Sequence, residues 1–214
     1  MKLYDYFRSS AAYRVRIGLH LKGLEYESIP VHLLRGGGEQ LKPEYRAVNP
    51  SALVPVLRDG EATITQSLAI LEYLDEIHPV MPLMPRDALG RARVRSLALA
   101  IACDIHPINN LRVLRYLVKQ AGLSEEAKNA WYMHWVQEGF AALEAQLSAS
   151  GDTGRFCHGD TPTIADCVLV PQVFNAARFN IDMRVYPTIA RIDAACCALP
   201  AFEAAHPSRQ PDSE

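Results

Sequence analysis

The residues best suited to chemistry stand near the start of the chain, where Tyr6-Phe7-Arg8-Ser9-Ser10-Ala11-Ala12-Tyr13-Arg14-Val15-Arg16-Ile17 passes from a short strand pattern into a helical one. Two hydroxyls beside an arginine at such a junction suit an anion. The first N–H groups of a helix lack internal partners and carry partial positive charge. A thiolate, phosphate or carboxylate held by Ser9 and Ser10 would therefore meet side-chain and backbone donors together. A plain helix cap accounts for the same serines without a ligand, because serine is a preferred N-cap residue.

Other positions carry comparable signals. Val54-Pro55 stands where a strand should begin, and proline, having no N–H, marks a strand start, a bulge or a cis turn there. Gln66-Ser67 opens a helical run, with Ser67 as the expected N-cap, and so offers a second helix N-terminus to a carboxylate. The stretch Cys103-Asp104-Ile105-His106-Pro107-Ile108-Asn109-Asn110-Leu111-Arg112 sets polar groups and a proline inside an otherwise apolar helical pattern. In an unbroken helix His106 and Asn110, four apart, would share a face while Arg112 points elsewhere. An interior proline costs about 3 kcal/mol and kinks the axis, and strain beside polar groups tends to mark a site. Thr163 and Asp166 form a capping box, with Asp in place of Glu or Gln, and bear on folding rather than chemistry.

The elements that would position these residues change character near residue 80. Before it, β-like runs at Lys2–Tyr6, Glu27–Val31, Val54–Leu57 and Ala62–Ile64 alternate with helical patterns at Ala11–Leu21, Glu39–Ala47 and Ser67–Ile77. Gly23 ends the first helix. Prolines 79, 82 and 85 break the pattern and predict a linker. Beyond them the periodicity predicts helices over Asp87–Val118, Ser124–Leu147, Thr163–Phe179 and Val185–Cys196, followed by a polar tail. The expectation is an α/β domain at 1–80, a linker at 81–86 and an all-helical domain at 87–214.

Bulk properties exclude several classes. At 214 residues, 49% hydrophobic and 21% charged, the chain has the composition of an ordinary globular protein with a sizeable core. A net charge of −2 gives no electrostatic case for nucleic acid or an anionic membrane. No apolar run approaches a membrane span, and Met1–Tyr6 reads as a strand rather than a signal peptide. Five cysteines, odd in number and without a C-x-x-C pair, indicate neither a disulfide framework nor a zinc site, so no metal is expected and a reducing, cytoplasmic setting fits.

The order β-α-β-α-β-β-α followed by helices resembles a thioredoxin-like domain joined to a helical-bundle domain, the glutathione transferase fold. Within that fold, Phe7-Arg8-Ser9-Ser10 with Arg14-Val15-Arg16-Ile17, Asp104-Ile105-His106-Pro107, Gly159-Asp160-Thr161-Pro162 and Leu169-Val170-Pro171-Gln172-Val173 resemble the zeta class, which includes the maleylacetoacetate and maleylpyruvate isomerases. The similarity runs from Met1 to about Pro211.

The resemblance implies glutathione as cofactor, a small dicarboxylate substrate and a homodimer. It implies that Ser9, with Ser10 and the helix N-terminus, holds the glutathione thiol as thiolate beside Arg8. Gln40, Val54, Gln66, Ser67, His106 and Asn110 match glutathione-contacting positions. Pro55 is expected to be cis, leaving the Val54 backbone free to pair with the cysteinyl part. Arg8, Arg112 and Arg178 match arginines for substrate carboxylates. The implied reaction is cis–trans isomerisation of maleylacetoacetate by thiolate addition, bond rotation and elimination. Maleylpyruvate isomerisation and general zeta-class transferase chemistry are alternatives within the fold, and a non-catalytic interaction module stands further off. Ala11 occupies a place where many zeta members carry cysteine, and Tyr13 one where tryptophan is common. The reactive sulfur must therefore come from the cofactor.

Overall fold

The computed structural model describes all 214 residues, Met1–Glu214. They form two compact units, one of Met1–Leu83 together with Cys197–Glu214, the other of Met84–Cys196. The sequence assigned 87–214 to one helical domain; the structure instead groups the last eighteen residues, 197–214, with the sheet unit.

In the first unit, strands β1 (Lys2–Asp5), β2 (Glu27–Pro30), β3 (Val56–Asp59) and β4 (Ala62–Thr65) form one sheet in the order β2-β1-β3-β4. Helix α1 (Ser10–Leu21) supplies the crossover that lets β1 and β2 run parallel; β3 is antiparallel to both β1 and β4. Leu3 and Leu57 pair across β1 and β3 and face Val15 and Leu19 of α1 and Ile70 and Leu74 of α3 (Ser67–Ile77), all six fully buried. The opposite face buries Tyr6, Val31, Tyr45 and Val56. Glycine lets α1 approach α3 closely, since a Cβ on Gly18 would run into the Leu71 side chain. Gly23, at φ 65°, ends α1: its N–H reaches the His20 carbonyl at 3.1 Å and the next N–H, of Leu24, reaches Leu19 at 2.9 Å.

The helix expected over Glu39–Ala47 is two pieces, a 3₁₀ turn at Glu39–Leu41 and the short α2 (Pro43–Arg46). Pro43 is the reason, because the residue before proline avoids the helical region, and Lys42 is extended at φ −70°, ψ 149°. The expected polar tail also contains structure. Helix α9 (Pro200–Ala205) buries Phe202 and Ala205, and packs against α1. Arg16 of α1, fully buried, pins it by donating Nε to the Ala205 carbonyl at 3.0 Å.

The second unit holds α4 (Ala88–Leu99), α5 (Leu111–Lys119), α6 (Glu125–Ala149), α7 (Ile164–Arg178) and α8 (Pro187–Cys197), whose last residue belongs to the other unit. Helix α7 is its centre, with 11 of 15 residues buried. The Thr163–Asp166 capping box forms as the spacing predicts: Asp166 accepts from the Thr163 N–H at 2.7 Å, the Thr163 hydroxyl at 2.8 Å and the Cys157 N–H at 2.8 Å. Helix α6 buries Tyr132, Val136, Phe140, Leu143 and Leu147, the stripe that a helix with one core-facing side requires.

The single helix expected over Asp87–Val118 is broken. Helix α4 runs on as a π-helical segment, Ala100–Ile105, then a 3₁₀ turn at Pro107–Asn109, and Asn110 is extended at ψ 151° before α5 starts. Pro107 cannot continue the ladder, and the Asn110 side chain accepts the Arg112 N–H at 3.1 Å to begin a new helix. His106 and Asn110 therefore do not share a helix face. No helix of the chain is long and apolar enough to cross a membrane.

Candidate active site

The sheet register brings most of the expected residues to one end of the first unit. Asp5 pairs with Pro30, Tyr4 with Val56, and Val56 with Thr65. The end of β1, the end of β2, the start of β3 and the end of β4 thus lie side by side. From these ends extend, in turn, Tyr6–Ser10, Val31–Gln40, Val54–Pro55 and Gln66–Ser67.

The first turn carries Arg8, Ser9 and Ser10. The Ser9 N–H donates to the Tyr6 carbonyl at 2.8 Å, and the Ser9 hydroxyl caps α1 by accepting the Ala12 N–H at 3.3 Å. A hydroxyl that accepts in this way keeps its proton to donate. Ser10 is the first helical residue and is buried. No acidic side chain lies in the first turn of α1 itself. Arg8 is exposed, with its guanidinium carbon 5.5 Å from the centre of the Phe7 ring.

Beneath the turn lies a charged anchor. Arg16 donates from Nη1 to both Asp5 oxygens, at 2.8 and 2.9 Å, and from Nη2 to the Phe7 carbonyl at 2.9 Å. Burial pushes the Asp5 carboxyl up, and the Arg16 charge works against that shift.

The fourth end departs from expectation in its cap. Gln66, not Ser67, is the N-cap of α3, at φ 69° and ψ 117°, and its side chain makes no capping bond. A positive φ at a non-glycine residue is strained and is often found at functional sites. Ser67 is the first helical residue, buried, and its Oγ accepts Nη1 of buried Arg14 at 3.2 Å.

The Val54–Pro55 bond is cis, as expected, and Val54 precedes the first ladder residue of β3. Gln40 is buried; its Nε2 donates to the Leu33 carbonyl at 3.4 Å while its Oε1 has no protein partner. That orphan acceptor and the N-termini of α1 and α3 form a donor and acceptor set suited to an elongated, peptide-like anion.

Of the residues expected in the helical half, none is placed in the first unit. His106 closes the π-helical segment with its N–H on the Ile101 carbonyl at 2.8 Å. Asn110 caps α5, and Arg112, two residues on, is exposed. Arg178 is the exposed last residue of α7. Its charge acts on buried Tyr132, whose hydroxyl burial pushes up to about 12 against that charge. Tyr132 stacks on Phe179 with ring centres 3.7 Å apart. Neighbouring Asn109, rather than Asn110, is the buried asparagine.

Three residues of this region were given no role from the sequence. Arg14 and Arg16 stand two apart on a helix, one holding Ser67 and the other Asp5, and two buried arginines amid apolar α1 were the available signal. Asp212 was hidden in the tail; its Oδ2 accepts the Phe7 N–H at 3.0 Å, and nothing local to its sequence marks it.

Known proteins resemble this chain over its whole length. The family described as "Glutathione S-transferase, N-terminal domain" matches residues 8–77, and "Glutathione S-transferase, C-terminal domain" matches 128–180. A probable maleylacetoacetate isomerase of Vibrio cholerae is 54% identical over 99% of this chain and 97% of its own. The maleylpyruvate isomerase of a Ralstonia species is 52% identical over the whole of both chains. Among solved structures, a holo maleylpyruvate isomerase described as a zeta-class bacterial glutathione S-transferase superposes with a TM-score of 0.96 at 51% identity, covering all of both chains. A maleylacetoacetate isomerase of Methylobacterium extorquens, solved with bound malonate and glutathione, gives 0.96 at 43% identity, again over all of both chains.

Proposed function

This chain belongs to the glutathione S-transferase family, in its zeta class, and on that premise we propose that it is a glutathione-dependent cis–trans isomerase acting on maleylacetoacetate. The joint position of Ser9, Gln40, Val54 and Ser67 at one end of the sheet carries this assignment. When bound, glutathione supplies the sulfur nucleophile that adds to the cis double bond, permits rotation and is then expelled.

The protein's part is to bind, orient and stabilise charge. Ser9 donates its hydroxyl proton toward the thiol, and the α1 N-terminus favours its anionic form; a free thiol has a pKa of about 8.5, and helix N-termini lower such values. Ser10 supports the same helix end. Ser67 and Gln66 receive the γ-glutamyl carboxylate at the start of α3, and the Val54 backbone and Gln40 hold the peptide body. In the helical unit the family resemblance assigns His106 and Asn110 to glutathione binding. Arg8 offers its guanidinium to a carboxylate of the dianionic substrate, and the family resemblance assigns Arg112 and Arg178 to substrate carboxylates as well. The first unit therefore holds most of the proposed glutathione contacts.

The similarity to maleylpyruvate isomerases, 52% by sequence and 0.96 by TM-score, supports maleylpyruvate as the second candidate substrate. The two compounds differ mainly in chain length. Measured kcat/KM for each, with and without glutathione, tests the reading. Glutathione-dependent turnover of either supports it and ranks the two. Turnover without glutathione, or none with it, overturns it.

A homodimer and a cytoplasmic location belong to the same reading. Exposed Val80, at 88%, is apolar surface of the first unit that a second copy would cover. Light scattering at micromolar concentration tests the dimer.

A further inference from the structure

The peptide that leads into the proposed thiol site is held at both ends by charged side chains from elsewhere in the chain. The Phe7 carbonyl accepts Arg16 Nη2 at 2.9 Å, and the Phe7 N–H donates to Asp212 Oδ2 at 3.0 Å. Phe7 lies beyond the last β1 residue, so its N–H has no ladder partner, and it is the second residue of the turn that the Ser9 N–H closes on the Tyr6 carbonyl at 2.8 Å. A β-turn closed by that bond leaves the N–H of its second residue pointing outward. The Asp212 carboxylate meets it there.

Asp212 reaches this place because residues 197–214 fold back onto the sheet unit. Helix α9 packs on α1, the Arg16 guanidinium holds the Ala205 carbonyl, and Gln210 Nε2 ties the segment's own backbone to Ala204 at 3.0 Å and His206 at 2.9 Å. The half-buried Asp212 is therefore delivered by an anchored segment rather than a loose end. Glu214, by contrast, pairs with exposed Arg35 at 2.9 Å and with the His32 ring at 3.2 Å, and its side chain makes no hydrogen bond to the Tyr6–Ser9 turn.

We propose that Asp212 is a positioning residue for the glutathione-thiolate site: by fixing the Phe7 peptide it sets the turn that aims the Arg8 and Ser9 side chains. This inference rests on the isomerase reading above. Loss of the carboxylate would free the Phe7 N–H and let the turn rotate, moving the Ser9 hydroxyl away from where the sulfur must be held. Glutathione binding through Gln40, Val54 and Ser67 would persist. The effect should therefore fall on thiolate formation and on kcat more than on glutathione affinity.

The test compares Asp212→Ala, Asp212→Asn and Glu214→Gln with the wild-type full chain, using the thiolate ultraviolet absorbance of the glutathione complex across pH, glutathione affinity by titration calorimetry, and steady-state kinetics. Asp212→Ala should lower kcat about tenfold and move the thiol titration upward, with glutathione affinity changed by less than about threefold. Asp212→Asn keeps an acceptor oxygen and should restore most of both, and Glu214→Gln should match wild type. Unchanged thiol titration and kcat in Asp212→Ala would overturn the proposal, as would an equal loss in Glu214→Gln or a failure of Asp212→Asn to restore activity. If Asp212→Ala does not fold, amide exchange in the wild-type chain decides: slow exchange of the Phe7 N–H supports the proposal and free exchange overturns it. A wild-type chain that neither binds glutathione nor turns over with it would instead sink the isomerase reading.

Discussion

Arg14 Nη1 donates to Ser67 Oγ at 3.2 Å, joining the middle of α1 to the first residue of α3 inside the sheet unit. Both side chains are buried, at 2% and 6% exposure, so the contact is not diluted by water. It ties the helix that begins at the proposed thiol site to the helix whose start is proposed to hold the γ-glutamyl carboxylate. Arg14→Met should remove a charge-assisted hydrogen bond of about 1.5–3 kcal/mol and free the Ser67 hydroxyl. The melting temperature should fall by several degrees, at roughly 2–4 °C per kcal/mol for a chain of this size. The glutathione KM should rise more than kcat falls, because the altered residue lies under the binding end and not beside the sulfur. Calorimetry with glutathione-dependent kinetics checks both; a pure kcat loss with unchanged KM would contradict the assignment.

Ser9 should show the opposite split. Ser9→Ala removes the hydroxyl proposed to donate to the thiol, and removal of one such donor typically costs about 10²–10³ in kcat. It also removes the α1 N-cap, worth about 1 kcal/mol. The acid limb of the kcat/KM profile should move toward the free-thiol value of about 8.5. An unchanged pH profile would remove Ser9 from its role, however far the melting temperature fell.

Legibility in the sequence followed how locally each feature is determined. Helix α3 is found over Ser67–Ile77 as its periodicity predicts, and the Thr163–Asp166 box closes as its spacing requires, because both depend on residues within one or two turns. The helix expected through Asp87–Val118 fails because apolar periodicity continues on both sides of Pro107, while the break depends on backbone geometry at His106–Asn110. At the site, Ser9 was readable as a cap. Gln66 was not, since its positive φ is imposed by the β4–α3 junction rather than by its side chain. Asp212 was beyond reach altogether, being 205 residues from Phe7 in sequence.

Arg8 permits a cleaner separation of binding from folding. It is exposed and its one recorded contact is with the Phe7 ring at 5.5 Å, so Arg8→Ala should shift the melting temperature by no more than a degree or two. If it forks onto a substrate carboxylate, kcat/KM for the dicarboxylate should fall by about 10–10²-fold while glutathione affinity stays unchanged. Arg8→Lys should recover only part, because an ammonium cannot make the two parallel bonds. Full recovery by lysine would reduce the residue to a point charge.

Asp166 should behave as a folding residue with no kinetic signature. Its carboxylate accepts from the Cys157 N–H, the Thr163 N–H and the Thr163 hydroxyl inside α7's unit, and Asp166→Ala would strand all three donors in the core. The cost should be about 3–5 kcal/mol, enough to leave little folded chain at physiological temperature. The milder Asp166→Asn keeps one acceptor oxygen and should fold, with kcat per folded molecule close to wild type. Burial raises the Asp166 pKa above its ordinary 3.8, so the folded state holds that proton more tightly than the unfolded chain. Its contribution is fully present below the ordinary value and is lost as pH rises through the raised one. Wild type should therefore gain stability over Asp166→Asn as pH is lowered from neutral toward the carboxylate range. Urea unfolding at two such pH values measures the gap, and a gap that narrows on acidification would mean that the three donors outweigh burial and hold the carboxyl below its ordinary value.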